Sequence, residues 1–477
     1  MSKTWVDVTT TLKWTRPAVG VVRVEHELIK ALLKDKHDQL RFFKYEYGQF
    51  IPIESKIVTS KINGEKLNEN DDSGTIIQSS NATKLNNPFR FNKSKLKAGV
   101  KLIMHGLYEI SMSLFKDAYY LRINHRIRQN INLLKMKLKI SAKRLLGLKN
   151  KSFESGNKLS IFRSCNFVPH LFAENDTVII FGLAWDYLDI YRHLYKVKKS
   201  TNLNVISMCY DLIPYKYPNL VLGNVASYFA NYYCEMSWAS DHVACISKSS
   251  QADFLEFLNK FKIREPKTSV VHLGSEVSKN IICDTSESVQ NVLQEKFILF
   301  VSTIERRKNH ETLIKAIHFL MSSGVKSIPK LVFVGMRGWG IDDMLKDLEL
   351  NNVLKDNIVL LNHVTDAELS VLYKNCSFFV YPSFYEGWGL PIAEALAYGK
   401  FGICSSTSSM PEVGGNFVDY CNPFDVVGWA NAINKYSNND ELLREKEQII
   451  NDDFIPFTWE KFGNQILSIM SDELYDR

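Results

Sequence analysis

Apolar positions along the chain fall into two regular regimes, separated by an irregular stretch. The second half alternates most clearly. Short apolar runs at 297–303, 331–335, 358–361, 377–381 and 401–405 read as strands, and the segments 311–321, 341–350, 366–373 and 391–398 between them read as helices. Alternation at this pace predicts a parallel, doubly wound sheet, which receives ligands beyond the C-terminal ends of its strands. The first half gives a strand over 6–9, a loop over 10–20 containing Trp14, Arg16, Pro17 and Gly20, a helix over 21–33 and a strand over 40–47. Strands at 178–181, 205–210 and 242–246, a helix over 224–238 and an apolar run at 268–273 complete it. A polar stretch, 278–290, is the linker candidate. Trp459, Phe462, Ile466 and Ile469 mark a final amphipathic helix that packs back on the first domain. The fold class expected is α/β: two doubly wound parallel-sheet domains, one in each half. They would cover residues 1–285 and 296–455, with the closing helix at 456–477.

The irregular stretch, 54–170, is read as an insertion in the first domain. Its opening, 54–88, is rich in Ser, Asn, Asp and Lys and poor in large apolar groups, which predicts a mobile segment. From 93 to 151 there is no proline, and two helical stripes run through Ile103, Leu107, Ile110 and Leu114, then Ile123, Ile127, Ile131, Leu134 and Leu138. Charge changes how this segment reads. Between Arg90 and Lys151 sixteen lysines and arginines face two acids, Glu109 and Asp117, a net +14; the whole chain is +7, so the remainder is −7. Solvated lysines on a helical hairpin would explain the stripes alone. The concentrated excess favours an element resting on an anionic membrane surface. Nucleic acid is the other polyanion to consider, but the segment has few aromatics to stack bases, and no nucleic-acid partner is expected.

Composition otherwise is ordinary: 477 residues, 45% hydrophobic, 23% charged. The eight cysteines have no close pair at metal-ligand spacing and read as reduced thiols. Neither a signal-peptide core nor an apolar run of the ~20 residues needed to span a bilayer is present in the sequence. The expectation is a cytoplasmic protein, peripheral on the inner face of the cell membrane.

The most chemical stretch is Phe384-Tyr385-Glu386-Gly387-Trp388-Gly389-Leu390-Pro391-Ile392-Ala393-Glu394. Pro391 suits the first helical position, and Gly387 and Gly389 let backbone approach a ligand closely. The helix start can bind an anion, with Glu386 ahead of it and Glu394 just inside. Phosphates at the helix end with hydroxyls on either side describe a nucleotide-sugar. At another strand end, Ser302-Thr303-Ile304-Glu305-Arg306-Arg307-Lys308-Asn309-His310 supplies three consecutive cations able to hold a diphosphate.

Together these two stretches resemble the retaining family 4 glycosyltransferases, whose paired glutamates flank seven residues as Glu386 and Glu394 do. Ser409-Met410-Pro411-Glu412-Val413-Gly414-Gly415 resembles the loop that follows in that family. The resemblance covers 296–470 strongly and 1–50 and 175–275 less so, and it is absent from 54–170. It implies a GT-B fold, two Rossmann-like doubly wound domains facing across a cleft, with the donor bound by the second domain and the acceptor by the first. Lys308 and Arg307 would neutralise the departing diphosphate, helped by backbone near Gly389 and Leu390. Glu386 would meet the donor sugar's hydroxyls and Glu394 the ribose. Ser302-Thr303 stands where many relatives have glycine-arginine, which throws the phosphate clamp onto Arg307 and Lys308, with Thr303 kept as a donor-binding candidate. Tyr210 stands where many have histidine, leaving Asp211 as the catalytic or acceptor-side group. Arg16 and Gly20 belong to a segment resembling the loop near the donor phosphates, and Arg16 and Trp185 are acceptor-side candidates. Neither metal nor cofactor is expected.

The function implied is transfer of a hexose or deoxyhexose, mannose or rhamnose first, to a lipid-linked glycan in bacterial surface polysaccharide or O-antigen synthesis, with a GDP-linked donor favoured. Alternatives are a glucan- or sucrose-synthase-like transferase and a non-enzymatic nucleic-acid-binding protein. Retention in this family is ascribed to attack on the face the leaving phosphate vacates, the diphosphate itself taking the acceptor's proton.

Overall fold

The strands sort into two separate sheets. In a computed structural model, residues 2–15, 20–35, 38–46, 48–64, 171–187, 189–221, 223, 225–276 and 284–475 are described. The first sheet contains β1 (Thr4–Asp7), β2 (Leu40–Glu46), β3 (Gln49–Ile53), β4 (Thr177–Ile180), β5 (Asn204–Cys209), β6 (His242–Cys245) and β7 (Lys267–Val270). Their order across the sheet is β3-β2-β1-β4-β5-β6-β7. The second contains β8 (Phe297–Val301), β9 (Lys330–Val334), β10 (Ile358–Leu361), β11 (Phe378–Tyr381), β12 (Gly402–Ser405) and β13 (Asp419–Cys421), in the order β10-β9-β8-β11-β12-β13. Each order reverses once, between β1 and β4 and between β8 and β11. Those reversals are the crevices where doubly wound sheets hold ligands.

The central strands are apolar throughout because helices cover both faces; every residue of β4, β5 and β12 is buried. All pairings are parallel except β3 with β2, an antiparallel edge closed by Gly48 at φ +80°. That edge position tolerates Pro52, which has no N–H to give a neighbour.

Four expectations change. The loop over 10–20 begins as a short helix, Thr9–Lys13, because Asp7 accepts hydrogen bonds from the Thr9 amide and hydroxyl and Thr9, Thr10 and Thr11 are buried. The polar insertion starts later than 54, since Ser55–Asn63 is a helix that ends at Gly64 in the left-handed conformation. The linker stretch 278–290 runs into a helix, Glu287–Val292, which buries Val289 and Val292. The parallel first sheet gains its antiparallel edge. The basic segment 93–151 and residues 65–92 and 152–170 lie outside the described residues.

Residues 1–67 and 169–477 form one compact unit. The closing helix, Trp459–Tyr475, buries Phe462 and Ile466 and lies against the helix Val21–Asp35 of the first half; a Cβ on Gly463 would come within 2.4 Å of the Ala31 Cβ. Among the described residues, no helix is long and apolar enough to cross a membrane.

Candidate active site

The two loops at the β8/β11 reversal are fastened to each other. After β8 the chain makes a 3₁₀ turn, Arg306–Lys308, and Asn309 takes the left-handed conformation. The Asn309 side-chain Nδ2 donates to the Pro382 and Pro423 carbonyls at 3.0 and 2.8 Å, and the Phe384 backbone amide donates to the Arg307 carbonyl at 3.0 Å. Arg307 Nη1 also donates to the Tyr385 carbonyl at 2.8 Å.

This fastening brings Glu386, Arg307 and Lys308 into contact. Arg307 Nη1 lies 2.7 Å from Glu386 Oε2, and Lys308 Nζ lies 2.6 Å from Oε1. Lys308 also donates to the Tyr381 hydroxyl at 3.0 Å, and Arg307 Nη2 pairs with Glu305 at 2.9 Å. Burial alone would raise the Glu386 pKa, but Arg307 and then Lys308 outweigh it and hold the carboxyl at about 2. Burial pushes Lys308 down and Glu305 up. Formally, the two carboxylates and two cations of the cluster balance. Sequence reasoning assigned the cations to a diphosphate and Glu386 to a sugar; in this structure they neutralise each other.

Beyond Glu386 the backbone is held by serines. Glu386 N donates to Ser408 Oγ at 2.9 Å, and Ser409 Oγ donates to the Glu386 and Trp388 carbonyls at 3.0 and 2.6 Å. Gly387 faces the first half so closely that a Cβ there would sit 2.4 Å from the Tyr210 carbonyl oxygen and 3.1 Å from the Asp211 Cβ. Gly389, at φ +121°, caps the helix Leu390–Ala397, with Pro391 in its first turn. On that helix Glu394 pairs with Arg23 of the first half at 3.2 Å and accepts from the Tyr373 hydroxyl at 3.3 Å.

Of the sequence candidates, Glu386, Lys308 and Arg307 are thus in direct contact, and Gly387, Gly389, Leu390 and Glu394 follow within the next eight residues, the last two on the helix Leu390–Ala397. Asp211 lies beside Gly387; its carboxylate accepts from the Ile213 amide at 2.9 Å, burial raises its pKa, and the Arg307 charge opposes that rise. Thr303 is exposed after β8. Gly20, at φ +52°, opens the helix Val21–Asp35 into free space. Trp185 packs against Tyr210, Phe229 and Tyr232 at centroid distances of 6.0 Å. Arg16 lies outside the described residues.

Sequence reasoning missed Glu305, Tyr381, Ser408 and Arg23. Glu305 directly precedes the run of cations, and that adjacency was the available signal. Arg23 sits off the apolar stripe of its helix, and nothing near it in sequence names Glu394.

Further contacts close the crevice between the sheets. The Tyr385 hydroxyl donates to Asp253 at 2.8 Å, Ser250 Oγ donates to the Gly387 carbonyl at 3.2 Å, and Glu412 accepts from the Lys248 amide and pairs with His272 at 2.9 Å. A cavity of about 1010 Å³ adjoins the cluster, lined by Glu305, Arg306, Tyr385 and Ser408 from the second half and Tyr217 and Leu220 from the first.

Residues 284–451 match the family described as Glycosyl transferases group 1. The serotype-specific mannosyltransferase WbdA of Escherichia coli is 28% identical over 263 residues, 53% of this chain and 32% of its own length. The O-antigen chain mannosyltransferase B of Escherichia coli is 40% identical over 130 residues, 27% of this chain and 34% of its own. The chain thus spans about a third of the length of these curated relatives. A crystal structure of Anabaena HepE in complex with UDP superposes with a TM-score of 0.47 and 16% identity, over 62% of this chain and 79% of that one. The Arg307–Lys308–Glu386 cluster and Glu394 all lie within the residues, 284–451, that match the glycosyl transferases group 1 family.

Proposed function

We propose that this protein is a glycosyltransferase of bacterial surface polysaccharide synthesis. It moves a hexose or deoxyhexose, mannose first, from a nucleoside diphosphate to a lipid-linked glycan. The observation that carries the reading is the Arg307–Lys308–Glu386 cluster, fastened at the strand reversal of a group 1 domain. Relatives named as a serotype-specific mannosyltransferase and an O-antigen chain mannosyltransferase favour mannose, and with it a GDP-linked donor.

In this reading the donor diphosphate competes with Glu386 for Lys308 and Arg307, and Glu386 turns to the sugar's hydroxyls. The C1–O bond to the diphosphate breaks as the acceptor hydroxyl forms the new C1–O bond on the same face. The proton leaves the acceptor for a diphosphate oxygen. Arg307 and Lys308 stabilise the charge that develops on the leaving group, an electrostatic contribution that is strongest in a water-poor site. Glu394 accepts from the ribose hydroxyls. No metal or cofactor takes part in the reaction as proposed. The cavity beside the cluster has the volume of a ligand site and gives the acceptor a way in.

A thermal-shift panel of GDP, UDP and TDP tests the donor class, because a ligand that binds only the folded state raises its melting temperature. GDP is expected to give the largest shift, and GDP-mannose to transfer to a polyprenyl-linked glycan. A panel with no shift for any nucleotide sinks the reading; a shift with UDP or TDP alone replaces the donor.

A further inference from the structure

We propose that Arg23 is a positioning residue for Glu394: it reaches from the first sheet's helix and holds that carboxylate aimed at the two hydroxyls of a donor ribose. The proposal rests on the donor reading above.

Glu394 is nearly buried, and each of its oxygens has its own partner. Arg23 Nη1 lies 3.2 Å from Oε1, and the Tyr373 hydroxyl donates to Oε2 at 3.3 Å. An ionised carboxylate offers about four lone-pair positions, so these two bonds leave room for two hydroxyls. Burial pushes a proton onto Glu394, and Asp366 pushes the same way; the Arg23 charge is the foremost opposing influence, followed by the Tyr373 bond. Tyr373 is itself fixed, buried and stacked on Tyr398 with centroids 5.3 Å apart.

Arg23 has a second neighbour that gives the pair a wider meaning. Its guanidinium lies over the Trp459 ring, 5.4 Å from the centroid. The Trp459 amide donates to Glu276 at 2.6 Å, and the Ser275 amide donates to the Phe457 carbonyl at 2.8 Å. Chain at the end of the first half is thus tied to the chain that leads into the closing helix. The guanidinium therefore stands between the candidate ribose carboxylate and this junction. Any motion that parts the halves there also removes the cation from Glu394, so a bound ribose favours the closed arrangement.

Calorimetric titration of the full chain with GDP and with its 2′,3′-dideoxy counterpart reads this role directly. The wild type is expected to prefer GDP by tenfold or more. Arg23→Ala should erase most of that preference, and the Arg23→Ala/Glu394→Ala pair should lose little beyond either single variant, the non-additivity of residues acting as a unit. Arg23→Lys should keep part of the preference. Arg23→Gln, whose stem still covers Trp459, carries the test should Arg23→Ala not fold. Full preference in Arg23→Ala or Arg23→Gln, or losses that simply add, would overturn the role of Arg23 alone. A wild type that binds both nucleotides equally would remove the ribose role of Glu394 and Arg23 together, and one that binds neither would remove the donor reading too.

Discussion

Glu386 is a carboxylate that burial would neutralise and that two cations keep charged. Its ion pairs supply stability above the ordinary glutamate range, and that contribution is lost as the pH falls from 4.5 towards 2. Glu386→Ala and Lys308→Ala are each expected to reduce transfer by at least about 10²–10³-fold, the scale for removing an electrostatic group from a site of this kind. Stopped assays with a matched donor check this, and near-wild-type turnover in either variant would refute the site. Glu25 shows the opposite balance. It is fully buried and accepts from the Thr11 amide, but burial first and the Asp7 charge second raise its pKa to about 8. The proton it holds in the fold is a stability contribution that is complete below pH 4.5 and is lost as the pH rises through 8. Glu25→Gln keeps the acceptor and removes the titration. Its melting temperature should exceed that of the wild type at pH 8–9, and the two should converge near pH 5.

At the scale of elements, the loop over 384–389 shows what a sequence can and cannot disclose. Pro391 and the glycines marked a helix start, and the helix begins one residue away, at Leu390. The cations ahead of His310 marked a strand end, and β8 stops at Val301 just before them. These features follow from local chemistry, so they could be read locally. The pairing of Arg307 with Glu386 could not, because it depends on two loops meeting 79 residues apart in the chain. The Thr9–Lys13 helix was missed for a similar reason: tertiary burial of three threonines outweighs their weak helix preference. Gly387 was read as room for a ligand, but the nearest atoms belong to the first half of the chain. Gly387→Ala must move the Tyr210 backbone or part the halves. It should cost about 1–3 kcal/mol, as overpacking does, and it should weaken transfer together with stability. An unchanged melting curve would show that the crevice opens freely at this point.

Over the whole molecule, charge divides the work. The described residues hold the sheets, the candidate site and the contacts that close the crevice, while the net +14 lies between residues 90 and 151. An acceptor anchored in a bilayer would need the crevice held near the surface, and each lysine or arginine close to anionic lipid contributes about 1 kcal/mol of attraction. Such attraction is screened within a Debye length of about 8 Å at physiological ionic strength, so it must weaken with salt. In a flotation assay the full chain should rise with phosphatidylglycerol vesicles at low salt and stay at the bottom at high salt or with neutral vesicles. A variant lacking residues 90–151 should stay at the bottom throughout while still responding to the donor nucleotide, since Arg307, Lys308, Glu386 and the partners named for them all lie outside that segment in the chain. If the full chain fails to float at low salt, the basic segment has another partner, and a mobility shift with random oligonucleotides at the same ionic strength would identify it as nucleic acid.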